Sequence, residues 1–324
     1  MKMKSSPDLK KPLSHAYRYI FGPVPSRRLG YSLGIDIIPP KTCNLNCVYC
    51  ELGRTSAETM TRRAYVDREA VLAEIEHAIA HTARIDYLTF SGSGEPTLNS
   101  ELGEIIRRLK ATTDLPVAVI TNGTLLYLPE VRAALRQADL VMPSLDAASQ
   151  AVLRGINRPH GHLRIDAIID GLIDFRREYT GPIWLEILFV RGFNASPAEV
   201  PRLVRAVQQI EPERVQLNPV VRQPAESGIH PVSRKTLQRL CAQFGDRAEI
   251  IAAFDSTAQT GSEHDHLEQA ILAMIARRPL TATDMAASLG APVERIREHI
   301  SKLLQNDRVT AGRHGKHIYY HPPR

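Results

Sequence analysis

Hydrophobic residues alternate between two spacings along most of the chain, from residue 67 to residue 251. Apolar side chains three and four positions apart indicate amphipathic helices, and short runs of β-branched and other apolar residues indicate buried strands. The predicted helices span 67–81, 101–109, 129–138, 164–179, 198–210 and 233–244. The predicted strands span 32–38, 85–90, 116–120, 140–144, 183–189, 214–218 and, at the end of the series, 248–251.

This alternation of strand and helix predicts an α/β fold, in which helices cover a parallel sheet. Roughly six strand–helix repeats favour a partial (β/α)6 barrel, similar to the TIM barrel, over a doubly wound sheet. The carboxyl ends of the strands in such a barrel meet at one face, where catalytic groups are expected. We expect this core domain to span residues 17–254, after a mobile tail at residues 1–16.

The pattern changes after residue 254. Residues 255–266 are polar and predict a linker. Helical spacing then returns, and a β-hairpin with a basic tip follows it; these segments span 267–276, 281–290, 292–305 and 308–320. This order of helices and hairpin is typical of a winged helix-turn-helix domain, which we place at residues 267–324.

Basic residues are concentrated at the two ends of the chain, which has 41 Lys and Arg against 35 Asp and Glu. A polyanionic partner would account for this distribution, and so would ordinary solvated surface charge. The predicted wing carries Arg313, His314, Lys316 and His317, whereas the helix before it has mixed charge. The partners that fit the winged helix are therefore a nucleic acid, a peptide or protein, or the catalytic domain of the same chain.

Three features of the sequence argue against other classes of protein. No apolar run approaches the roughly 20 residues that a membrane helix needs. The first residues are polar and lack the apolar segment of a secretory signal. The chain has four cysteines, and three of them lie within residues 41–50, which argues against a disulfide framework. We therefore expect a cytoplasmic protein.

The cysteine-rich segment contains Cys43, Cys47 and Cys50, separated by three and then two residues. Thiolates are soft ligands that suit zinc or an iron–sulfur cluster, and this spacing lets one loop surround a single centre. Three thiolates leave a tetrahedral zinc or a cubane cluster one ligand short, and the next twenty residues offer neither His nor Cys. The loop therefore predicts a metal centre with an open position for chemistry.

Polar or glycine-rich residues end or follow the predicted strands, where a barrel would gather them. They include Gly94, Glu95, Asn122, Ser144, Asp146 and Asn218. Glycine lets a ligand approach the backbone closely, although an ordinary turn would also explain Gly94. Glu186 lies within an apolar strand, so its carboxylate must either be paired in a salt bridge or face a polar cavity.

Arginines stand before the first predicted strand, as Arg27 and Arg28, and after the sixth, as Arg222. A guanidinium group binds phosphates and carboxylates well, and it also pairs with acidic side chains of its own chain. The three arginines are therefore candidate substrate contacts.

The Cys-x-x-x-Cys-x-x-Cys spacing, with Tyr49 before the last cysteine, resembles the signature of the radical S-adenosylmethionine (SAM) superfamily. The resemblance implies that the three cysteines bind a [4Fe–4S] cluster whose fourth iron is chelated by SAM. It also implies that an electron, from a donor such as flavodoxin or ferredoxin, cleaves SAM and gives a 5′-deoxyadenosyl radical. That radical would take a hydrogen atom from the substrate.

The same resemblance assigns roles to residues at the strand ends. Residues 93–95 resemble the family's Gly-Gly-Glu segment, which meets the SAM amino group, with Ser93 in place of the first glycine. Ser144 would bind the SAM carboxylate, and Asp146 would orient a ribose hydroxyl or cap the next helix. The residues expected around SAM are Tyr49, Gly94, Glu95, Asn122, Ser144, Asp146, Glu186 and Asn218.

Residues 21–30, 39–43 and 91–97 are similar to a poorly characterised radical SAM group that is related to the wyosine-type tRNA-modifying enzymes. Those enzymes carry a second cluster on additional cysteines, whereas only Cys241 remains here. We therefore expect a radical SAM enzyme whose substrate is unknown, with RNA or a nucleotide as one class. The alternatives are a redox-sensing winged-helix regulator that binds nucleic acid, and an enzyme that modifies a peptide held by the winged helix.

Overall fold

The computed structural model describes most of the chain, with gaps at the termini, between the two predicted domains and at short stretches within each of them. The described residues are 17–26, 28–82, 84–220, 224, 226–251, 267–268, 271–272, 274–275, 279–289, 291–314 and 317–323. The predicted tail at 1–16 and the predicted linker at 255–266 lie outside these residues, as do Arg27 and Arg222.

Parallel strands form the centre of the molecule. In chain order the strands are β1 (Ile20–Ser26), β2 (Gly30–Ile35), β3 (Thr42–Cys43), β4 (Ala57–Glu58), β5 (Tyr87–Phe90), β6 (Val117–Thr121), β7 (Leu140–Pro143), β8 (Trp184–Phe189), β9 (Arg214–Pro219) and β10 (Ala248–Ile250). The larger sheet has the order β1-β2-β5-β6-β7, a second has the order β8-β9-β10, and β3 and β4 pair with each other. Adjacent strands are parallel except for β1 and β2. Parallel bridges from Val141 to Ile183 and from Ser144 to Glu186 join β7 to β8, so the two sheets continue one another.

Helices connect these strands and cover the sheet. They are α1 (Arg68–His81), α2 (Leu102–Thr112), α3 (Pro129–Leu135), α4 (Gln150–Ile156), α5 (Ile165–Glu178), α6 (Val200–Ile210) and α7 (Arg234–Cys241). Their apolar faces and the strands share one core, in which Phe90, Phe175 and Phe189 are fully buried. The predicted parallel α/β arrangement is therefore confirmed. Among the described residues, no helix combines the length and the apolar composition that crossing a membrane requires.

Local sequence explains where several helices begin. The Asp67 side chain accepts hydrogen bonds from the backbone N–H groups of Glu69 and Ala70, so it caps the start of α1. Four elements of the core domain were not predicted: β1, α4 and the two-residue strands β3 and β4. Strand β1 is rich in proline and glycine, and it forms because it pairs with β2 at the edge of the sheet. Helix α4 is only seven residues long, too short for a clear period.

A separate small core lies near the C-terminus. It contains α8 (Ala282–Leu289), α9 (Val293–Gln305) and the antiparallel hairpin of β11 (Thr310–His314) and β12 (His317–His321). An isolated antiparallel bridge, with two backbone hydrogen bonds between Leu280 and Tyr320, joins the segment before α8 to the hairpin. Val24 of β1 is buried in this core, and Phe21 packs against it. Residues 280–321, which we call the C-terminal unit, are therefore attached to the edge strand β1.

Two helical glycines differ in the space around them. We therefore expect their replacement by alanine to change the free energy of unfolding in opposite directions. A Cβ on Gly171 of α5 would lie 2.4 Å from the backbone nitrogen of Tyr127, whereas a Cβ on Gly155 of α4 would meet only the Phe193 ring at 3.8 Å. Gly171→Ala should lower the free energy of unfolding by about 1–3 kcal/mol because backbone must move. Gly155→Ala should raise it by about 0.5–1 kcal/mol, since alanine restricts the unfolded chain.

Urea titrations of the two variants and the parent chain would measure this difference. Equal midpoints for Gly171→Ala and Gly155→Ala would contradict the close packing of α5 against residues 126–127.

Candidate functional site

Backbone hydrogen bonds hold the cysteine loop from two sides. On one side, the Lys41 N–H donates to the Ser93 carbonyl at 2.6 Å. On the other side, the N–H groups of Asn46 and Val48 donate at 2.9 Å to carbonyls at the end of α4. The loop is therefore fixed between the segment after β5 and the helix after β7, at the carboxyl ends of the strands.

A cavity of about 380 Å³ opens at this end of the sheet, within the size range of ligand pockets. The sulfur-bearing residues Cys43, Cys47 and Cys50 line it. Most of the residues predicted around a ligand line it as well: Tyr49, Gly94, Glu95, Asn122, Ser144, Glu186 and Asn218. The structure thus brings together residues that are up to 175 positions apart in the sequence.

Burial changes the acidity of the three thiols. It raises the pKa of Cys43 to about 12, with a further contribution from the nearby Glu95 carboxylate. Burial also raises the pKa of Cys47 and of Cys50. Free thiols in this cavity would therefore be neutral at pH 7, and a metal centre bonded to sulfur would deprotonate them. The donor set fits an iron–sulfur cluster, which binds cysteine as thiolate.

No three His, Cys, Asp or Glu side chains of the described part of the chain converge on a single metal ion. This does not conflict with a cubane cluster, because each cysteine there bonds a different iron.

Two asparagines direct amide groups at the sulfur atoms. Asn122 Nδ2 lies 3.6 Å from Cys43 Sγ, and Asn157 Nδ2 lies 3.4 Å from Cys47 Sγ. Asn122 was predicted as a site residue from its place after β6. Asn157 was not predicted, because it follows α4, the helix that the hydrophobic pattern did not show.

Asp146 does not line the cavity but lies behind it, where its carboxylate serves as a hydrogen-bond acceptor. It accepts from the Tyr49 hydroxyl, from Asn157 Nδ2 at 2.8 Å and from the Leu188 N–H at 2.8 Å. Burial, together with the charge of Asp146, raises the pKa of Tyr49. Asp146 therefore orients Tyr49 and Asn157, which border the cysteine loop.

Glu95 ties the glycine segment to the end of β6. Its carboxylate is buried and accepts from the Thr121 hydroxyl at 2.6 Å and from the Asn122 N–H at 2.7 Å. Burial raises the pKa of this carboxyl. A Cβ on Gly94 would lie 2.1 Å from the Thr42 carbonyl oxygen, so only glycine lets this segment lie directly against the cysteine loop.

Ser93, which stands in place of the first glycine of the family segment, is fixed by Asp36. Its N–H and hydroxyl donate to the Asp36 carboxylate at 3.1 and 2.5 Å. The exchange of glycine for serine at this position therefore adds a hydrogen bond that holds the segment in place.

The opposite wall of the cavity contains an ion pair. Glu186 lines the cavity and pairs with Arg28, which also donates to the Gln216 side chain at 3.2 Å. Both of the alternatives left open for Glu186, a salt bridge and a cavity position, are therefore realised. Asn218 faces the same space and is 3 % exposed. Its Oδ1 atom has no hydrogen-bond partner within the described part of the structure.

Comparison with known proteins identifies the family. Residues 37–204, more than half of the chain, match the family described as "Radical SAM superfamily". The UPF0026 protein MJ1312 of Methanocaldococcus jannaschii is 34% identical over 267 residues, which are 80% of this chain and 82% of that protein. The protein named GTPase Obg of Brachyspira hyodysenteriae is 36% identical over 292 residues, 90% of this chain. The present chain spans only 43% of that relative's length.

Among solved structures, a radical SAM methyltransferase from Sphaerobacter thermophilus is similar, with a TM-score of 0.52 and 17% identity. The similarity covers 68% of this chain and 65% of that chain, and it concerns the fold alone. The proposed link to wyosine-type enzymes stays a prediction. From its sequence and from the cavity that its cysteines line, the chain belongs to the radical SAM superfamily of enzymes, which use SAM and a [4Fe–4S] cluster.

Proposed function

We propose that this enzyme cleaves SAM reductively and uses the resulting 5′-deoxyadenosyl radical to abstract hydrogen from a substrate. The observation that carries the proposal is the shared cavity of the three cysteines and the glycine segment 91–95. The cluster, when bound, would supply the electron that breaks the sulfonium bond. The chain's own residues would hold both cofactors and position the substrate.

The cysteine side chains would hold three irons, and the residues beside them would hold SAM. Gly94 lets the backbone of its segment approach the SAM amino group, and the Ser144 hydroxyl would bind the carboxylate. Tyr49 borders the cavity in an orientation fixed by Asp146. In this proposal Asp146 positions neighbouring side chains and does not contact the ribose, because its buried carboxylate does not line the cavity.

The wall formed by β8 and β9 is proposed to face the substrate or the nucleoside part of SAM. Arg28 offsets the charge of Glu186, so this wall offers polar groups with little net charge. Asn218 Oδ1 would accept a hydrogen bond from an N–H or O–H group of the ligand, because a buried carbonyl without a partner is costly. Arg27 and Arg222 stay predicted substrate contacts.

The C-terminal unit is proposed to be a winged helix that recruits a nucleic acid. Arg297, Lys302 and Arg313 are exposed on α9 and β11 and could contact phosphates. Phe21, which packs against this unit, also lines the cavity, so a partner bound there would lie close to the site of chemistry. A peptide partner, an electron donor such as flavodoxin or ferredoxin, and a cytoplasmic location stay predictions.

Cys47→Ala should abolish 5′-deoxyadenosine formation, because it removes one of the three thiolates that hold the cluster. The measurement is an anaerobic assay of the reconstituted protein with SAM and dithionite, with iron content determined in parallel. Cys241→Ala is the matched control, since Cys241 ends α7 and does not line the cavity. We expect the control to retain iron and activity.

A parent protein that binds the cluster but neither binds nor cleaves SAM would contradict the enzyme proposal. Nucleic-acid binding that changes with the redox state of the cluster would then favour the alternative function, a redox-sensing winged-helix regulator.

Gly94→Ala should weaken SAM binding by at least about tenfold, or about 1.4 kcal/mol, since the added Cβ would push the segment away from the Thr42 carbonyl. Equilibrium dialysis of SAM against the reconstituted protein would measure the dissociation constant. Gly161→Ala is the control, because a Cβ there meets nothing within 4 Å. An unchanged SAM affinity in Gly94→Ala would show that SAM does not bind against this segment.

A further inference from the structure

Asn122 is held so that its amide nitrogen, and not its oxygen, faces Cys43. Its Oδ1 accepts hydrogen bonds from the N–H and the hydroxyl of Thr124, at 3.0 and 2.7 Å. Both partners are donors, so Oδ1 must point toward them. The two hydrogens of Nδ2 are then directed at the Asn44 Oδ1 atom, 2.7 Å away, and at Cys43 Sγ, 3.6 Å away.

Asn157 is oriented in the same sense by a different partner. Its Nδ2 lies 2.8 Å from the Asp146 carboxylate and 3.4 Å from both Cys47 Sγ and the Tyr49 hydroxyl oxygen. A carboxylate accepts hydrogen bonds, so the amide nitrogen must face it. Asn157 is 3 % exposed, and this burial excludes competing water from the contact.

The two asparagines come from separate elements outside the cysteine loop. Asn122 follows β6, and Asn157 ends α4. The backbone N–H groups of Leu52 and Gly53, within the loop itself, partly offset the raised pKa of the third thiol, Cys50. Side-chain amides therefore contact the sulfur atoms of Cys43 and Cys47. Both amides can be removed by substitution without changing the sequence of the cysteine loop.

We propose that Asn122 and Asn157 are positioning residues that raise the reduction potential of the [4Fe–4S] cluster through N–H···S hydrogen bonds. Reduction adds one electron to the cluster and makes its sulfur atoms more negative, so a hydrogen bond to sulfur stabilises the reduced form more than the oxidised form. The buried carboxylates Glu95 and Asp146 lie nearby and act in the opposite direction. Without the two amides, the reduction potential of the cluster would be lower, and a given electron donor would reduce it less readily.

The test is an anaerobic redox titration of the reconstituted full chain, followed by EPR of the reduced cluster, without SAM or substrate. Asn122→Ala and Asn157→Ala should each lower the midpoint potential, and the double variant should lower it further. Asn99→Ala is the control: this buried asparagine bonds the Ile37 carbonyl and the Glu101 N–H and touches no sulfur. Its potential should equal that of the parent chain.

Potentials of both asparagine variants that equal those of the parent and of Asn99→Ala, at matched iron content, would overturn the proposal. The titration does not depend on SAM cleavage, so its failure and a failure of 5′-deoxyadenosine formation are distinguishable.

A second measurement keeps the proposal testable if either variant does not bind the cluster. The parent protein, grown with asparagine carrying ¹⁵N only in the side-chain amide, is reduced and measured by pulsed EPR. Coupling between the cluster spin and ¹⁵N is the expected result. A spectrum without such coupling would show that neither amide is bonded to a cluster ligand, and would overturn the proposal.

Discussion

Burial of three thiols around one cavity is the constraint on which the rest of this structure depends. Each thiol on its own loses hydration and stays protonated, as the raised pKa of Cys43 and Cys47 indicates. A cluster bonded to all three sulfur atoms stabilises the thiolate form instead, because iron replaces the protons. The surrounding fold therefore has to place three thiolates, their hydrogen-bond donors and an open side for SAM within a few ångströms.

The parallel sheet meets this requirement by gathering strand ends. The cysteine loop contacts the segment after β5 through Lys41, and it contacts the end of α4 through Asn46 and Val48. Glu95 then links the segment after β5 to β6, and Asp146 links the end of β7 to β8. Two buried carboxylates thus join consecutive strands, Glu95 within the lining of the cavity and Asp146 behind it.

The sequence predicted this arrangement well where the spacing of residues within a short segment determines the structure. The order of most strands and helices followed from hydrophobic spacing, and the spacing of Cys43, Cys47 and Cys50 predicted that these three residues face one centre, as their shared cavity shows. The sequence could not predict contacts between distant segments. Glu186 fitted both a salt bridge and a cavity position, and only the register of β8 beside β9 shows Arg28 and Gln216 around it. Asn157 carried no local signal, since its importance comes from the position of α4 against the loop.

The two walls of the cavity differ in how fully their polar groups are bonded to one another. The wall with the cysteines is fixed by backbone bonds and by buried side chains that bond to one another, so it suits a cluster and SAM. The other wall contains Glu186 with its own counter-ion and Asn218 with a carbonyl that no described residue satisfies. A buried acceptor without a partner costs free energy that a ligand can restore. In the proposed function that ligand is the substrate or the nucleoside part of SAM. Phe21 of β1 also lines the cavity, and through Phe21 the edge strand connects the cavity to the C-terminal unit.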